Sequence, residues 1–191
     1  MHLELAERPE HPFTLFNMGM THADIGEFAQ AADYLKRSRQ HSEPGDSHVR
    51  KVYALLVQCH AGMGNHAAAL DSCLEGLGHV PQDAELLFRK ALLLHDAGRL
   101  EEAAQAYRHL LETDEPAHFK SVVKGLRGFL GRHNLALVYQ DMGRWAHAEE
   151  QWRLVVQEAP GYRPGWQGLH DALVHEGKGE EARAIGPRLS R

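Results

Sequence analysis

The stretch YQDMGRWAHAEEQWRLVVQEAP, Tyr139 to Pro160, sets Gly143, Trp145, Ala148, Trp152 and Pro160 at fixed offsets in one short run. A glycine so placed ends a first helix, and the proline stops a second one, since it cannot continue a hydrogen-bonded run. The same offsets recur along the chain. A glycine is followed five residues later by alanine at Gly26–Ala31, Gly64–Ala69, Gly98–Ala103, Gly143–Ala148 and Gly177–Ala182. Gly64 and Gly98 are 34 residues apart, and so are Gly143 and Gly177. Proline follows the glycine by 17 residues at Pro81 and Pro160.

Composition bounds what such a repeat serves. The chain has 191 residues, 43% hydrophobic and 25% charged, an ordinary balance for a soluble globular protein. Its formal net charge of -5 argues against generic nucleic-acid binding, which calls for a basic surface. No apolar run is long enough to cross a bilayer, and the N-terminus lacks the basic-then-apolar order of a signal peptide. Two cysteines, Cys59 and Cys73, suit reduced thiols and a cytoplasmic location. Ala, Leu, Glu, Gln, Arg and His dominate, so helix is the default.

A self-similarity of 34 residues built from these residue types resembles the tetratricopeptide repeat. With the turn glycine as the fifteenth position, units start at Pro12, Arg50, Ala84, Phe129 and Arg163. Position 4 should be bulky and holds Leu15, Tyr53, Leu87, Arg132 and Trp166. Position 7 holds Met18, Leu56, Lys90, Leu135 and Leu169, and position 8 holds Gly19, Val57, Ala91, Ala136 and His170. Position 20 is Ala31, Ala69, Ala103, Ala148 and Ala182, without exception. Position 24 is Leu35, Cys73, Tyr107, Trp152 and Gly186. Arg132, Lys90 and His170 depart from the pattern, and the fifth unit runs out at Gly186-Pro187.

The expected fold is all-α, a right-handed α-solenoid of about eleven helices in antiparallel hairpins, in which small residues at positions 8 and 20 let the paired axes approach. One hairpin has too little core to stand alone, and stacked hairpins share one. The resemblance divides a single array into a tail of a preceding repeat (1–11) and repeats at 12–45, 50–83, 84–116 and 117–162. A partial fifth repeat, or C-terminal cap, covers 163–191.

Two spacings deviate. Four extra residues around HSEPGDSH, His41 to His48, predict a longer polar loop. Eleven are added between units three and four. There Phe119, Val122, Val123 and Leu126 recur at helical spacing, which predicts an extended first helix from Ala117 to Met142, with Gly125, Gly128 and Gly131 as points for a kink. Lys120, Lys124 and Arg127 would share one face of that helix, read as solvated rather than as a site for an acidic partner. MHLELAERP fits the end of a second helix, so the chain is expected to be cut from something longer.

HPFTLFNMG and GLRGFLGRHNLALVYQDMGRWAHAEEQWR resemble the repeat region that follows the catalytic domain in some bacterial family 2 glycosyltransferases. That resemblance implies an accessory module, positioning substrate or fixing quaternary structure, with catalysis in a domain absent from this sequence. The sequence itself has no Walker-type loop, no GxSxG and no HExxH, so no catalytic residue and no cofactor are expected. Fifteen histidines invite a metal reading, but no pair has i,i+4 spacing. His22 and His60 at position 11 are read as packed side chains, and Cys59 and Cys73 as free buried thiols.

In this repeat family the first helices line a concave face through positions 2, 5, 6, 9, 12 and 13. Position 5 holds Phe16, Ala54, Phe88, His133 and Gln167; position 9 holds Met20, Gln58, Leu92, Leu137 and Asp171. The Lys, Asn and Arg of a carboxylate clamp are missing there. The expected site is therefore an apolar groove for a protein segment or for self-association: Phe16, Met20, Phe88, Leu92 and Leu137, with Gln58 and His133, rimmed by His95, Asp24, Asp96 and Asp141. Packing against neighbouring first helices is the alternative for the leucines. Asn17 and Asn134 at position 6 resemble two rungs of the asparagine ladder of O-linked N-acetylglucosamine transferase, interrupted by Leu55, Arg89 and Gly168; solvated or locally bonded asparagines are the competing reading.

Overall fold

The computed structural model describes residues 10–43, 45–113 and 125–189. They form ten α-helices and one turn of 3-10 helix, with no strand among the described residues. The helices are α1 (Pro12–Asp24), α2 (Phe28–His41), α3 (Val49–Gly62), α4 (His66–His79), α5 (Ala84–Asp96), α6 (Leu100–Glu112), α7 (Phe129–Asp141), α8 (Trp145–Glu158), α9 (Arg163–His175) and α10 (Gly179–Ile185). The chain divides into two compact units, with the division between Arg89 and Lys90 inside α5. In the first unit α1 packs on α2, α2 on α3 and α3 on α4; in the second α6, α7, α8, α9 and α10 pack in the same order. The first helices of successive hairpins also touch, α1 with α3 and α7 with α9. This is an α-solenoid of antiparallel helix hairpins.

One local device closes all five hairpins. Gly26, Gly64, Gly98, Gly143 and Gly177 have φ of +81°, +73°, +71°, +70° and +72°. That left-handed conformation is strained for any residue carrying a Cβ. The amide one residue past each glycine donates to the carbonyl five back: Glu27 to His22, Asn65 to His60, Arg99 to Leu94, Arg144 to Tyr139 and Lys178 to Leu173, at 2.8–2.9 Å. This Schellman arrangement satisfies carbonyls that the helix end leaves open and reverses the chain within a few residues.

The reversed helix returns close enough to require small side chains. Ala31, Ala69, Ala103 and Ala148 are fully buried and Ala182 is 3% exposed. At the first crossing a methyl on Gly19 would lie 2.6 Å from Leu35 Cγ and 3.2 Å from the Ala31 carbonyl oxygen. The bulky positions fill the remaining space: Leu15, Tyr53 and Leu87 on first helices, Leu35, Tyr107 and Trp152 on second helices, all buried. One departure from the pattern, and one buried carboxylate, are accommodated by pairing. Arg132 at position 4 donates from Nε to Glu158 at 2.6 Å. Glu149, 6% exposed on α8, accepts from Lys178 at 2.6 Å and pairs with Arg153 at 2.8 Å. Burial pushes its carboxyl pKa up, but these two cations outweigh burial and hold it below the usual carboxylate range.

The long first helix expected over 117–142 is not what forms. Residues 125–128 make a turn and α7 begins only at Phe129, while 117–124 lie outside the described residues. Gly125 has φ +100° and Gly128 has φ -134° with ψ -129°, neither of them helical. Leu126 is buried, and Arg127 turns back to donate to the carbonyls of Leu110 and Thr113 at the end of α6. A cation on the open carbonyls of a helix C-terminus is favoured both by hydrogen bonding and by the helix dipole. Arg127 is therefore a cap on α6 rather than part of a solvated stripe, and Lys120 and Lys124 lie outside the described residues. So does the segment expected to end a preceding repeat, apart from its last two residues.

Candidate functional site

Within each unit the turns and close crossings set first helices side by side, α1 with α3 and α7 with α9, and the inward positions of those helices define a face in each unit. In the first unit that face is less open than the sequence suggests. Phe16 is only 8% exposed, because the His48 ring covers it at 5.6 Å between centroids and Phe13 flanks it at 5.9 Å. His48 arrives from the inserted loop, held there by a 2.8 Å hydrogen bond between its Nε2 and Ser42 Oγ. Phe16 is thus a packed residue, and its neighbour Phe13, at position 2, takes the exposed place at 51%. Asn17, Met20, Gln58 and Phe88 are half-buried.

In the second unit Leu92 remains 37% exposed and Leu137 is half-buried. His95 Nε2 lies 2.6 Å from Asp141 Oδ2 and ties α5 to α7 on the rim. His133 faces inward to the hairpin instead, edge-on to Trp152 at 5.0 Å and to Tyr162 at 5.5 Å. Asn134 donates from Nδ2 to the Leu130 carbonyl at 2.9 Å, the local bond that competed with the ladder reading. Val174, at position 12 of the last unit, is 53% exposed and had no individual reading. Its position number was the available signal. Phe16 of the first unit and His133 of the second are absorbed by packing, while Phe13 of the first unit and Leu92 and Val174 of the second stand open.

The histidines divide by environment. His22 stacks on Tyr34, with centroids 5.2 Å apart, and His60 is buried at 7% exposure. Among the described residues no three His, Cys, Asp or Glu side chains gather as metal ligands would. Cys59 and Cys73 are buried free thiols; burial pushes the Cys59 pKa up to about 11, and Cys73 Sγ donates to the Leu86 carbonyl at 3.0 Å. A buried thiol with a raised pKa, as at Cys59, is not activated for nucleophilic chemistry.

Burial lowers the pKa of His48, whose charged neighbours Asp46 and His11 act in opposite senses; it lowers that of His60, with Lys36 adding to the effect, and that of His133. A histidine with a depressed folded-state pKa stays neutral in the fold while the unfolded chain protonates near pH ~6.5. Its stabilising contribution is intact above that value and is lost as the pH falls below it. The urea midpoint is expected to be flat from pH ~7.5 to ~7 and to drop between pH ~6.5 and ~5.5, ahead of carboxylate protonation. His60→Phe should reduce that slope. A midpoint that rises on acidification through this window would contradict the burial of these rings.

Two sequence models described as tetratricopeptide repeat match the chain, one over residues 84–116 and one over residues 132–157. No curated protein matches the sequence. Solved structures share the fold at low identity. A crystal structure of MamA protein superposes with a TM-score of 0.76 at 16% identity, covering 95% of this chain and 91% of that one. A MamA RS-1 ArsTM double mutant gives 0.77 at 14% identity, covering 94% and 92%. A tetratricopeptide repeat protein from Parabacteroides merdae gives 0.76 at 19%, covering 93% of this chain and 65% of that one. Glycine turn, alanine crossing, sequence match and superposition agree: the chain carries tetratricopeptide repeats, matched over residues 84–116 and 132–157 and set in an α-solenoid.

Proposed function

We propose that this chain is a non-catalytic protein-interaction module that takes a segment of a partner protein on the face formed by its first helices. The observation that carries this reading is the exposure of Leu92, 37%, at an inward position of the array. A fold free to bury a leucine between helices gains about 25 cal/mol per Å² by doing so, and large apolar side chains left open in register mark contact surfaces. In the same unit Val174 is 53% exposed and Leu137 half-buried at inward positions; on the first unit's own face Phe13 is 51% exposed and Met20 and Phe88 are half-buried. Two free buried thiols fit a reducing compartment, and we place the module in the cytoplasm. No helix among the described residues is long and apolar enough to cross a membrane. The net charge of -5 disfavours nucleic acid. The strings that resemble glycosyltransferase-attached repeats lie on α1 and from the 125–128 turn through α8, where hairpin packing already accounts for their residues.

The reading is tested by selecting random 12-residue peptides on phage against the full chain, then measuring the selected peptides on Leu92→Ser. Binding is expected to weaken by at least about tenfold, about 1.4 kcal/mol, while the urea midpoint stays within about 0.5 kcal/mol of wild type. Peptides that bind Leu92→Ser as well as wild type, or a selection that yields no binder, would sink the proposal. A second copy of the chain as occupant would appear instead as a dimer lost on the same substitution.

A further inference from the structure

Resting on that reading, we infer that the first-helix face of residues 90–189 is built for a basic segment, one in which Lys or Arg side chains alternate with apolar ones. At the inward positions this unit holds three carboxylates, Asp96, Asp141 and Asp171, and no Lys or Arg. Asp96 is exposed, and the side chains of Asp141 and Asp171 are 58% and 49% exposed. Their hydrogen-bonding neighbours are histidine or glutamine: His95 for Asp141, Gln167 and His170 for Asp171. No Lys or Arg lies within ion-pairing distance of any of the three among the described residues.

Three cations of the unit are committed to other carboxylates. Arg99 pairs with Glu102 at 2.7 Å, Arg153 with Glu149 at 2.8 Å, and Lys178 with Glu149 at 2.6 Å, all through carboxylates of the second helices. Lys90, on α5 itself, acts on Glu102 of α6. Arg99, Arg153 and Lys178 are thus turned to second-helix carboxylates, while Asp96, Asp141 and Asp171 on the first helices have no Lys or Arg beside them. Between the carboxylates stand Leu92, Leu137 and Val174, the first and last 37% and 53% exposed. The contact between α7 and α9 and the His95–Asp141 bond make these residues one surface. Carboxylates without a Lys or Arg partner, set around open apolar side chains, attract a cationic partner and repel an acidic one, and that repulsion supplies specificity.

The test uses the same 12-residue library, selected in parallel on the full-length wild type and on a D96N/D141N/D171N variant. Asparagine keeps size and hydrogen bonding at each position, so the fold is retained, which circular dichroism checks. Wild-type binders are expected to carry Lys or Arg between apolar residues. Their affinity should fall at least about tenfold on the triple variant, and similarly when salt rises from about 50 to about 500 mM. Binders that are acidic or uncharged yet depend on Leu92 would overturn this inference and leave the interaction reading standing. Basic binders with equal affinity for the triple variant would also overturn it. A selection without binders would overturn both.

Discussion

Trp152→Ala is expected to cost about 3–5 kcal/mol of stability, the range for deleting a large buried aromatic whose surroundings cannot close over the gap. Trp152 is 1% exposed and is the largest fully buried side chain among the described residues. Its walls are rigid. On one side stands Gly168 of α9, where a side-chain Cβ would fall 2.3 Å from the indole Cε2, so helix backbone lies directly against the ring. On another, His133 meets it edge-on at 5.0 Å. Indole and α9 thus share one close contact, and deleting the indole unseats a hairpin from its neighbour. In a solenoid, where stability is a sum of units and of interfaces between them, that loss is not confined to one unit. Trp152→Phe should cost much less, since it keeps most of the volume and removes an indole Nε1 that is buried without a hydrogen-bond partner among the described residues. Urea melts followed by far-ultraviolet circular dichroism decide the matter. A midpoint for Trp152→Ala equal to that of wild type would refute the packing described here.

Ala69→Leu and Ala148→Leu are expected to destabilise by about 1–3 kcal/mol each, through overpacking rather than cavity formation. Both alanines are fully buried, at position 20 of their units. The partners at position 8 are Val57 and Ala136, also buried, so no face of either crossing can accept three more carbons without moving a helix axis. The first crossing shows how narrow the tolerance is, with a Cβ on Gly19 placed 2.6 Å from Leu35. Ala67→Leu and Ala146→Leu, at exposed positions on the same two helices, serve as controls and should stay within about 0.5 kcal/mol. If the buried and exposed substitutions lowered the urea midpoint equally, the alignment of position 20 would be wrong.

What the sequence alone determined is the hairpin and its repetition. The reason is that its constraints are local and recur: a glycine that must turn left-handed, an alanine five residues on that must be small, a proline that must end the second helix. These are requirements on single residues at fixed separations, so period and residue type reveal them without coordinates. Burial at positions 4, 7, 8, 20 and 24 followed, save at Arg132, which found Glu158, at half-buried Lys90, and at Trp166, His170 and Gly186 of the last unit. What only the tertiary structure decided is the fate of side chains whose neighbours come from the irregular segments. Phe16 has the register of a groove residue, but the inserted loop carries His48 onto it. Helical spacing across Leu126 suggested a long helix, but the open carbonyls at the end of α6 draw Arg127 back, and two glycines allow the turn. His133 has the same register as Phe16 and is instead enclosed by Trp152 and Tyr162. The carboxylates of Asp96, Asp141 and Asp171 were visible as letters. Their lack of Lys or Arg partners was not, because pairing depends on which side of each hairpin an arginine or lysine reaches, and that is set in three dimensions.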